Sequence, residues 1–404
     1  MDIESLISAA NRAQQAEDSG LHNCSRIWHV GFFFDGIHRN IEQDAPEQRL
    51  SNIARLFRAF PDERQNTSRE AYDTVYISGL GTPFNEDLST KLTALMDGTR
   101  SNVQDNLKAQ PIEMAKDAGE QLLKGGSWYE ILKSEGGKLL KPSEWKKLAK
   151  NITKETLKKV SIEATPWIRD NPAVADMLVT GVDTRIASAK TRFERFFERV
   201  KSDSPIPVKL ISVSLFGFDL GATLARKFLD TLLDELCQKQ GDKYTYLGIP
   251  VDIVFTGLFD CSRHTAASNN NGVDYFISAF GGPVKGISVL LGDKSIEQET
   301  SLPGAVKKSL HLVAAHETRV WRCLYRTGDN PVHKEELYPG CAEDIGGGLK
   351  PDEQKPSAEL CRVALHRMYC EATMAGVPFP DFQTLNENNP VIAEYFIIKD
   401  NIKN

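Results

Sequence analysis

The sequence predicts an α/β architecture, a mostly parallel sheet flanked by helices, and three observations lead there. An apolar strand, Val208–Phe216, runs into Gly217-Phe218-Asp219-Leu220-Gly221 and at once into helical sequence. A second apolar run, Val251–Leu258 (VDIVFTGL), follows that helix and completes a β-α-β unit, whose connection favours parallel pairing. A third run, Ile27–Phe34 (IWHVGFFF), ends on Asp35-Gly36, another turn where a strand stops.

Taken in chain order, residues 1–24 read as a polar, helix-prone lead-in. Ser51–Phe60 (SNIARLFRAF) has helical spacing behind a serine cap, and Thr74–Ile77 is a short strand that breaks at Ser78-Gly79-Leu80-Gly81. Lysine, alanine, leucine and glutamate then dominate to about residue 200, with few β-branched runs, so residues 86–200 are expected to form a helical insertion or cap within one domain spanning 1–404. The basic stretch Lys146–Lys159 reads first as a solvated helix face and second as a lipid-headgroup contact. Beyond the elbow, a helix is expected over Gly221–Lys239, a Gly-punctuated loop over Gly272–Leu291, and strands at Leu310–Ala315 and Glu336–Tyr338. The turn-rich run Pro339–Gly348 precedes a last amphipathic helix over Ser357–Ala375.

The composition narrows the function. With 404 residues, 41% hydrophobic, the chain can bury a sizeable core. A net charge of −6 offers no general attraction for nucleic acid or an anionic membrane. No apolar stretch approaches the length of a transmembrane span, and the acidic N-terminal sequence does not read as a Sec signal peptide. The 7 cysteines form no CxxC pair and read as reduced thiols of a cytoplasmically made protein.

The chemistry is expected at strand C-termini, where open α/β sheets place their sites. Asp35, Asp219, Asp260 and Asp344 all fall on such loops. Gly217-Phe218-Asp219-Leu220-Gly221 has the layout of the G-x-S-x-G nucleophile elbow of α/β hydrolases, with aspartate where the serine belongs. An elbow, then an acid, then a glycine-rich loop is also the chain order of an α/β-hydrolase triad.

Collinear segments carry a closer likeness: FFFDGIHRN (32–40), SNIARLF (51–57), YISGLGT (76–82), FGFDLGATLAR (216–226), FTGLFD (255–260), HLVAAHETR (311–319), YPGCAEDIGGGL (338–349) and LCRVALHRMYCEATMAGVPF (360–379). They resemble the phospholipase effectors of bacterial type VI secretion, whose catalytic domain carries FFDGT-N, GFSRGA and G-x-H-x-D-V-GGGY motifs. The resemblance implies an α/β-hydrolase fold, lipid-ester substrates, delivery by the secretion machinery into a target-cell periplasm, antibacterial action and a cognate immunity protein. It implies that Asp219 stands at the nucleophile position, that Asp260 is the triad acid and that Ala342 stands at the histidine position. The amides of Leu220 and Gly36 would form the oxyanion hole. His316 falls where the family more often has aspartate, while Glu317 and Arg319 keep the rest of that motif.

Several readings of the altered triad stay open. Without a hydroxyl at 219 or an imidazole at 342 the serine route cannot run, which leaves a lipase-like binding or structural module. An Asp219 nucleophile would need a histidine to activate water, and His264, His311 and His316 are the candidates. Alternatively, Asp35, Asp219, Asp260 and Asp344 would converge on Mg²⁺ or Ca²⁺ and hydrolyse an ester through metal-bound water. Their ordinary role, capping turns and helices, competes with this. An inactivated form of a working lipase is a further reading. Arg226 and Arg319 would pair with acids or bind phosphate.

Overall fold

The computed structural model describes residues 25–84, 170, 181–241, 243–264, 301–319, 322–351, 353 and 359–398. Most of the predicted insertion, the lead-in 1–24 and the loop Gly272–Leu291 lie outside them.

The chain divides into two compact units. The first comprises residues 1–79, 189–263 and 296–404 and holds the sheet. Its parallel strands are β1 (Arg26–Phe34), β2 (Glu70–Ile77), β3 (Val208–Phe218), β6 (Ile249–Phe259), β8 (Ser309–Ala314) and β10 (His333–Tyr338), in the order β10-β8-β6-β3-β1-β2. Two short antiparallel strands, β4 (Gln238–Gln240) and β5 (Lys243–Tyr246), extend it at the start of β6. Strands β7 (Ser262–His264) and β9 (Arg322–Leu324) pair separately.

Alternation along β1 assigns its two faces. Phe32 meets Phe228 at 4.5 Å between ring centroids, on helix α3 (Leu220–Thr231), and Trp28 meets Phe193 at 5.2 Å, on helix α2 (Val182–Ser202). On the other face Phe33 stacks on Phe216 at 5.1 Å and meets Phe57 and Phe60, beside helix α1 (Asn52–Ala59). The cluster continues through Tyr369 of α5 (Cys361–Met374), which stacks on Phe379 at 4.6 Å. Each fully buried phenylalanine contributes about 1.5–3 kcal/mol, so both faces need a helical layer. Strands of this kind are apolar nearly throughout, as expected of parallel sheets covered on both sides.

One element departs from expectation. The helix predicted over Gly221–Lys239 ends at Thr231 and continues only as a π-helical turn, Leu232–Leu236. Gly241, at φ 62°, then turns the chain so that the polar segment around it forms the β4–β5 hairpin. The run Pro339–Gly348 also contains a short helix, α4 (Ala342–Gly346).

Of the second unit, residues 80–188 and 264–295, few are described. There Arg185 is buried, donates to the carbonyls of Gly181 and Thr82, and lies over the Phe84 ring at 4.6 Å. Among the described residues no helix is long and apolar enough to cross a membrane.

Candidate active site

β3 delivers Asp219 into a strained turn. Its backbone sits at φ 52°, ψ −123°, a conformation costing a non-glycine residue about 1–3 kcal/mol. The surroundings fix it: the Asp219 amide donates to Phe259 O at 3.0 Å, and its carbonyl accepts from the Ala222 amide at 3.1 Å and the Ser262 amide at 3.4 Å. The flanking glycines are required by space. A Cβ on Gly217 would lie 2.4 Å from Ala222 Cα, and one on Gly221 would lie 2.1 Å from Asp35 O. The elbow predicted from the glycine spacing is therefore formed around a carboxylate.

That carboxylate is 2% exposed and engaged on both oxygens. Ser262 Oγ donates to Oδ1, and Arg319 Nη1 lies 3.6 Å from Oδ2. Arg319 also grips Glu317 at 2.6 Å, so one guanidinium bridges two acids. Sequence reasoning left Arg319 between ion pairing and phosphate binding; here it pairs. Ser262 carried no sequence signal, since only the packing of the β6 terminus against the elbow brings it there. Replacing Arg319 by alanine leaves Asp219 charged and buried. We expect a loss of roughly 2 kcal/mol, below the range for fully buried pairs because Arg319 is partly exposed. Urea denaturation checks this, and the Asp219→Asn/Arg319→Ala double variant should recover most of the loss.

Asp260 ends β6 at φ 43° and is 4% exposed. Its Oδ1 accepts the Ala314 amide at 3.1 Å. Burial pushes its carboxyl up to about 7, the charges of Asp219 and Glu317 add to this, and the Ala314 bond and Arg319 only partly offset it. Ala342, at the position the resemblance gives to histidine, opens α4 and is 1% exposed.

The remaining aspartates are held elsewhere. Asp35 accepts from Tyr76 Oη at 2.6 Å, Ser51 Oγ at 2.8 Å and the Gly36 amide at 2.8 Å. Its carboxyl is raised to about 6 by burial, against those three hydrogen bonds. Asp344 Oδ2 takes the Cys341 amide at 2.8 Å and caps its own short helix. Among the described residues no group of three or more His, Cys, Asp or Glu side chains is placed to hold a metal ion. The four aspartates offered by the sequence as an alternative Mg²⁺ or Ca²⁺ site are not gathered in one place: Asp35 is bonded to Tyr76, Ser51 and Gly36, Asp344 caps its own helix, and of the four Asp219 and Asp260 are neighbours.

The expected oxyanion donors differ. Leu220 opens α3, so its N–H has no carbonyl partner within the helix. The Gly36 N–H is occupied by Asp35. Of the histidines proposed to activate water, His311 is fully buried, accepts the Cys261 amide on Nε2 at 2.9 Å and meets Glu335 through Nδ1 at 3.0 Å. Burial holds it below the usual histidine range despite Glu335. His316 Nδ1 accepts the Gly340 amide at 2.9 Å. The His264 side chain lies outside the described residues. Arg226 donates to the carbonyls of Tyr325 and Arg326 at 3.0 and 2.8 Å and lies 3.5 Å over the Tyr325 ring, a structural clamp.

Two residues that the sequence marked at most as a helix start support the site from behind. Ser51 caps α1 through Ala54 while donating to Asp35, and Asn52 Nδ2 donates to Ile345 O at 2.7 Å and Cys361 O at 2.8 Å. Ser51 as helix cap and Asn52 as the first helical residue were the available signal.

A mostly parallel sheet, helices on both faces and a strained strand–helix elbow define an α/β-hydrolase-like fold. An uncharacterized protein from Pseudomonas aeruginosa has a similar crystal structure, with 20% sequence identity and a TM-score of 0.54 over 99% of this chain and 52% of that one. The Tle1 effector bound to the VgrG spike from the type 6 secretion system is more distant, with 16% identity and a TM-score of 0.36 over 82% of this chain and 53% of that one. The chain thus spans about half the length of these two proteins. No protein-family model and no curated protein matches the sequence.

Proposed function

We propose that this chain is a type VI secretion-associated, lipase-like protein that keeps the hydrolase scaffold as a binding module without serine-esterase chemistry. The association with secretion, and with a lipid or ester ligand, an immunity protein and the target-cell periplasm, rests on the collinear motifs. The observation carrying the loss of chemistry is the state of the elbow: a buried carboxylate at 219, closed off by Ser262 and Arg319. A negative charge there opposes an oxyanion, the Gly36 amide is taken, and Ala342 supplies no imidazole. The carboxylate-nucleophile route is disfavoured by the same contacts, since His311 has both nitrogens engaged and Asp219 is already paired.

The test is hydrolysis of phospholipid vesicles and short-chain esters by the folded protein, with EDTA and with added Mg²⁺ or Ca²⁺, beside Asp219→Ala. No turnover above the buffer rate is expected under any condition. Turnover that disappears in Asp219→Ala would overturn the reading, and its sensitivity to EDTA would then separate metal from carboxylate chemistry.

A further inference from the structure

Beside the elbow lies a cavity of about 180 Å³, walled by Asp260, Glu317 and Arg322 and by the apolar side chains Val313, Leu324 and Leu337. A cavity of about 150 Å³ holds a benzene ring, so there is room for about six non-hydrogen atoms. Leu337 and Leu324 are 71% and 39% exposed, which leaves an apolar margin open to solvent. Asp260 is buried, and its Oδ1 accepts the Ala314 amide. Its Oδ2 has no hydrogen-bond partner among the described residues.

Charged and titratable groups face Asp260 from every element packed against it. The elbow brings Asp219, the loop after β8 brings Glu317 and Arg319, β9 brings the buried Arg322, and Cys261 is next in the chain. Arg319 is committed to Asp219 and Glu317, and Glu317 spends both its oxygens on that arginine. Together the two arginines balance those two acids, so net charge does not select a cation. Hydrogen-bond direction decides instead. The Asp260 carboxyl, raised to about 7 mainly by burial, is about half protonated near neutral pH. Its Oδ1 already accepts, so the proton sits on Oδ2 and donates. A guanidinium has five N–H donors and no acceptor, more donors than one partner uses. The wall therefore offers donors, and a ligand with paired acceptor oxygens fits it.

We propose that this cavity binds a short-chain carboxylate, its oxygens on Arg322 and Asp260 Oδ2 and its apolar stem against Val313, Leu324 and Leu337. The proposal deepens the binding-module reading and rests on it. A carboxylate is favoured over a neutral amide because it presents two equivalent acceptors and because hydrogen bonds between ions of opposite charge are the stronger ones. Binding takes up a proton from the buffer wherever Asp260 was ionised, and the ligand then carries the charge that the aspartate gave up.

Calorimetric titration of the full chain with sodium butyrate, in two buffers of different ionisation enthalpy, reads binding and proton uptake together. At pH 7 saturable binding with uptake of a fraction of a proton is expected. Affinity should fall about tenfold from pH 6 to pH 8 as Asp260 ionises. In Asp260→Asn the amide oxygen keeps the Ala314 bond and the amide nitrogen donates in place of the acid. That variant should bind at pH 8 as it does at pH 6, without proton uptake. Arg322→Gln should bind at least tenfold more weakly; if it does not fold, the Asp260→Asn profile and the ligand comparison decide. n-Butylammonium chloride and n-butanol should each bind at least tenfold more weakly than butyrate. Equal binding of either, butyrate binding without proton uptake, or no binding by folded protein would each overturn the proposal, as would loss of binding in folded Asp260→Asn. Competition by N-acetyl-leucine, whose carboxylate is that of a peptide C-terminus, would assign the ligand to a chain end; its absence assigns it to a free acid. Ester hydrolysis dependent on residue 219 would overturn the binding-module reading and would leave the calorimetric result standing, so the two failures are distinguishable.

Discussion

Replacing Gly221 by alanine is expected to leave little folded protein. The added Cβ would lie 2.1 Å from Asp35 O, 2.5 Å from Phe34 O and 2.7 Å from Asp35 C, all backbone atoms at the end of β1. A flexible side chain can swing away from such a clash; this backbone cannot. β1 is held in register by β2 on one side and β3 on the other, and Asp35 is tied to Ser51, Tyr76 and Gly36. Relief would require α3 to lift from the sheet, which unpacks Phe228 from Phe32 and Phe34. Overpacking in a tight core costs about 1–3 kcal/mol even where side chains can yield. We therefore expect insoluble protein or a melting temperature lowered by about 10 °C or more. Gly304→Ala is the control, since a Cβ there meets nothing within 4 Å. If Gly221→Ala melts within a degree or two of Gly304→Ala, the close approach of elbow and first strand is wrong.

That elbow was legible in the sequence because glycine spacing is a steric statement: two glycines around one residue, between a strand and a helix, leave few other structures. The strands were legible for a related reason, since short apolar runs rich in β-branched and aromatic residues, such as IWHVGFFF and VDIVFTGL, are typical of strands covered on both faces of a parallel sheet. Helix α1 was marked by its Ser51 cap. What stayed hidden was long-range. The partner of Asp219 is Ser262, 43 positions away, and no local pattern marks it. Asp35 and Asp344 looked like metal ligands because four aspartates follow strands. Hydrogen-bond partners at residues 36, 51 and 76, and the helix start at 341, use them up instead. The β4–β5 hairpin was missed for the opposite reason: its sequence is polar and short, and only pairing with the start of β6 gives it strand structure. Local sterics and burial read out of sequence; the pairing of polar groups from distant segments does not.

Burial of carboxyls makes stability depend on pH in a direction opposite to that of most salt-bridged proteins, and their hydrogen bonds only partly offset it. Asp260 and Asp35 have native carboxyls raised to about 7 and about 6, mainly by burial, and Asp73, raised by burial to about 6, acts the same way despite Arg199. An unfolded chain releases such protons near 3.9. Between those values the native state holds more protons than the unfolded state, so stability is fully present below about pH 4 and declines as pH rises through 6 and 7. At 1.36 kcal/mol per pKa unit, Asp260 alone accounts for on the order of 4 kcal/mol across that window. Asp260→Asn removes the cost, because a neutral amide oxygen still accepts the Ala314 amide while the repulsion from Asp219 and Glu317 disappears. Melting curves at half-unit steps from pH 4.5 to 8.5 check it. The variant is expected to melt several degrees above the wild type at pH 8, with the gap closing towards pH 4.5 and a shallower slope from Asp35 and Asp73 remaining in both. A gap independent of pH, or a variant less stable at pH 8, would mean that Asp260 is already paired in the native protein.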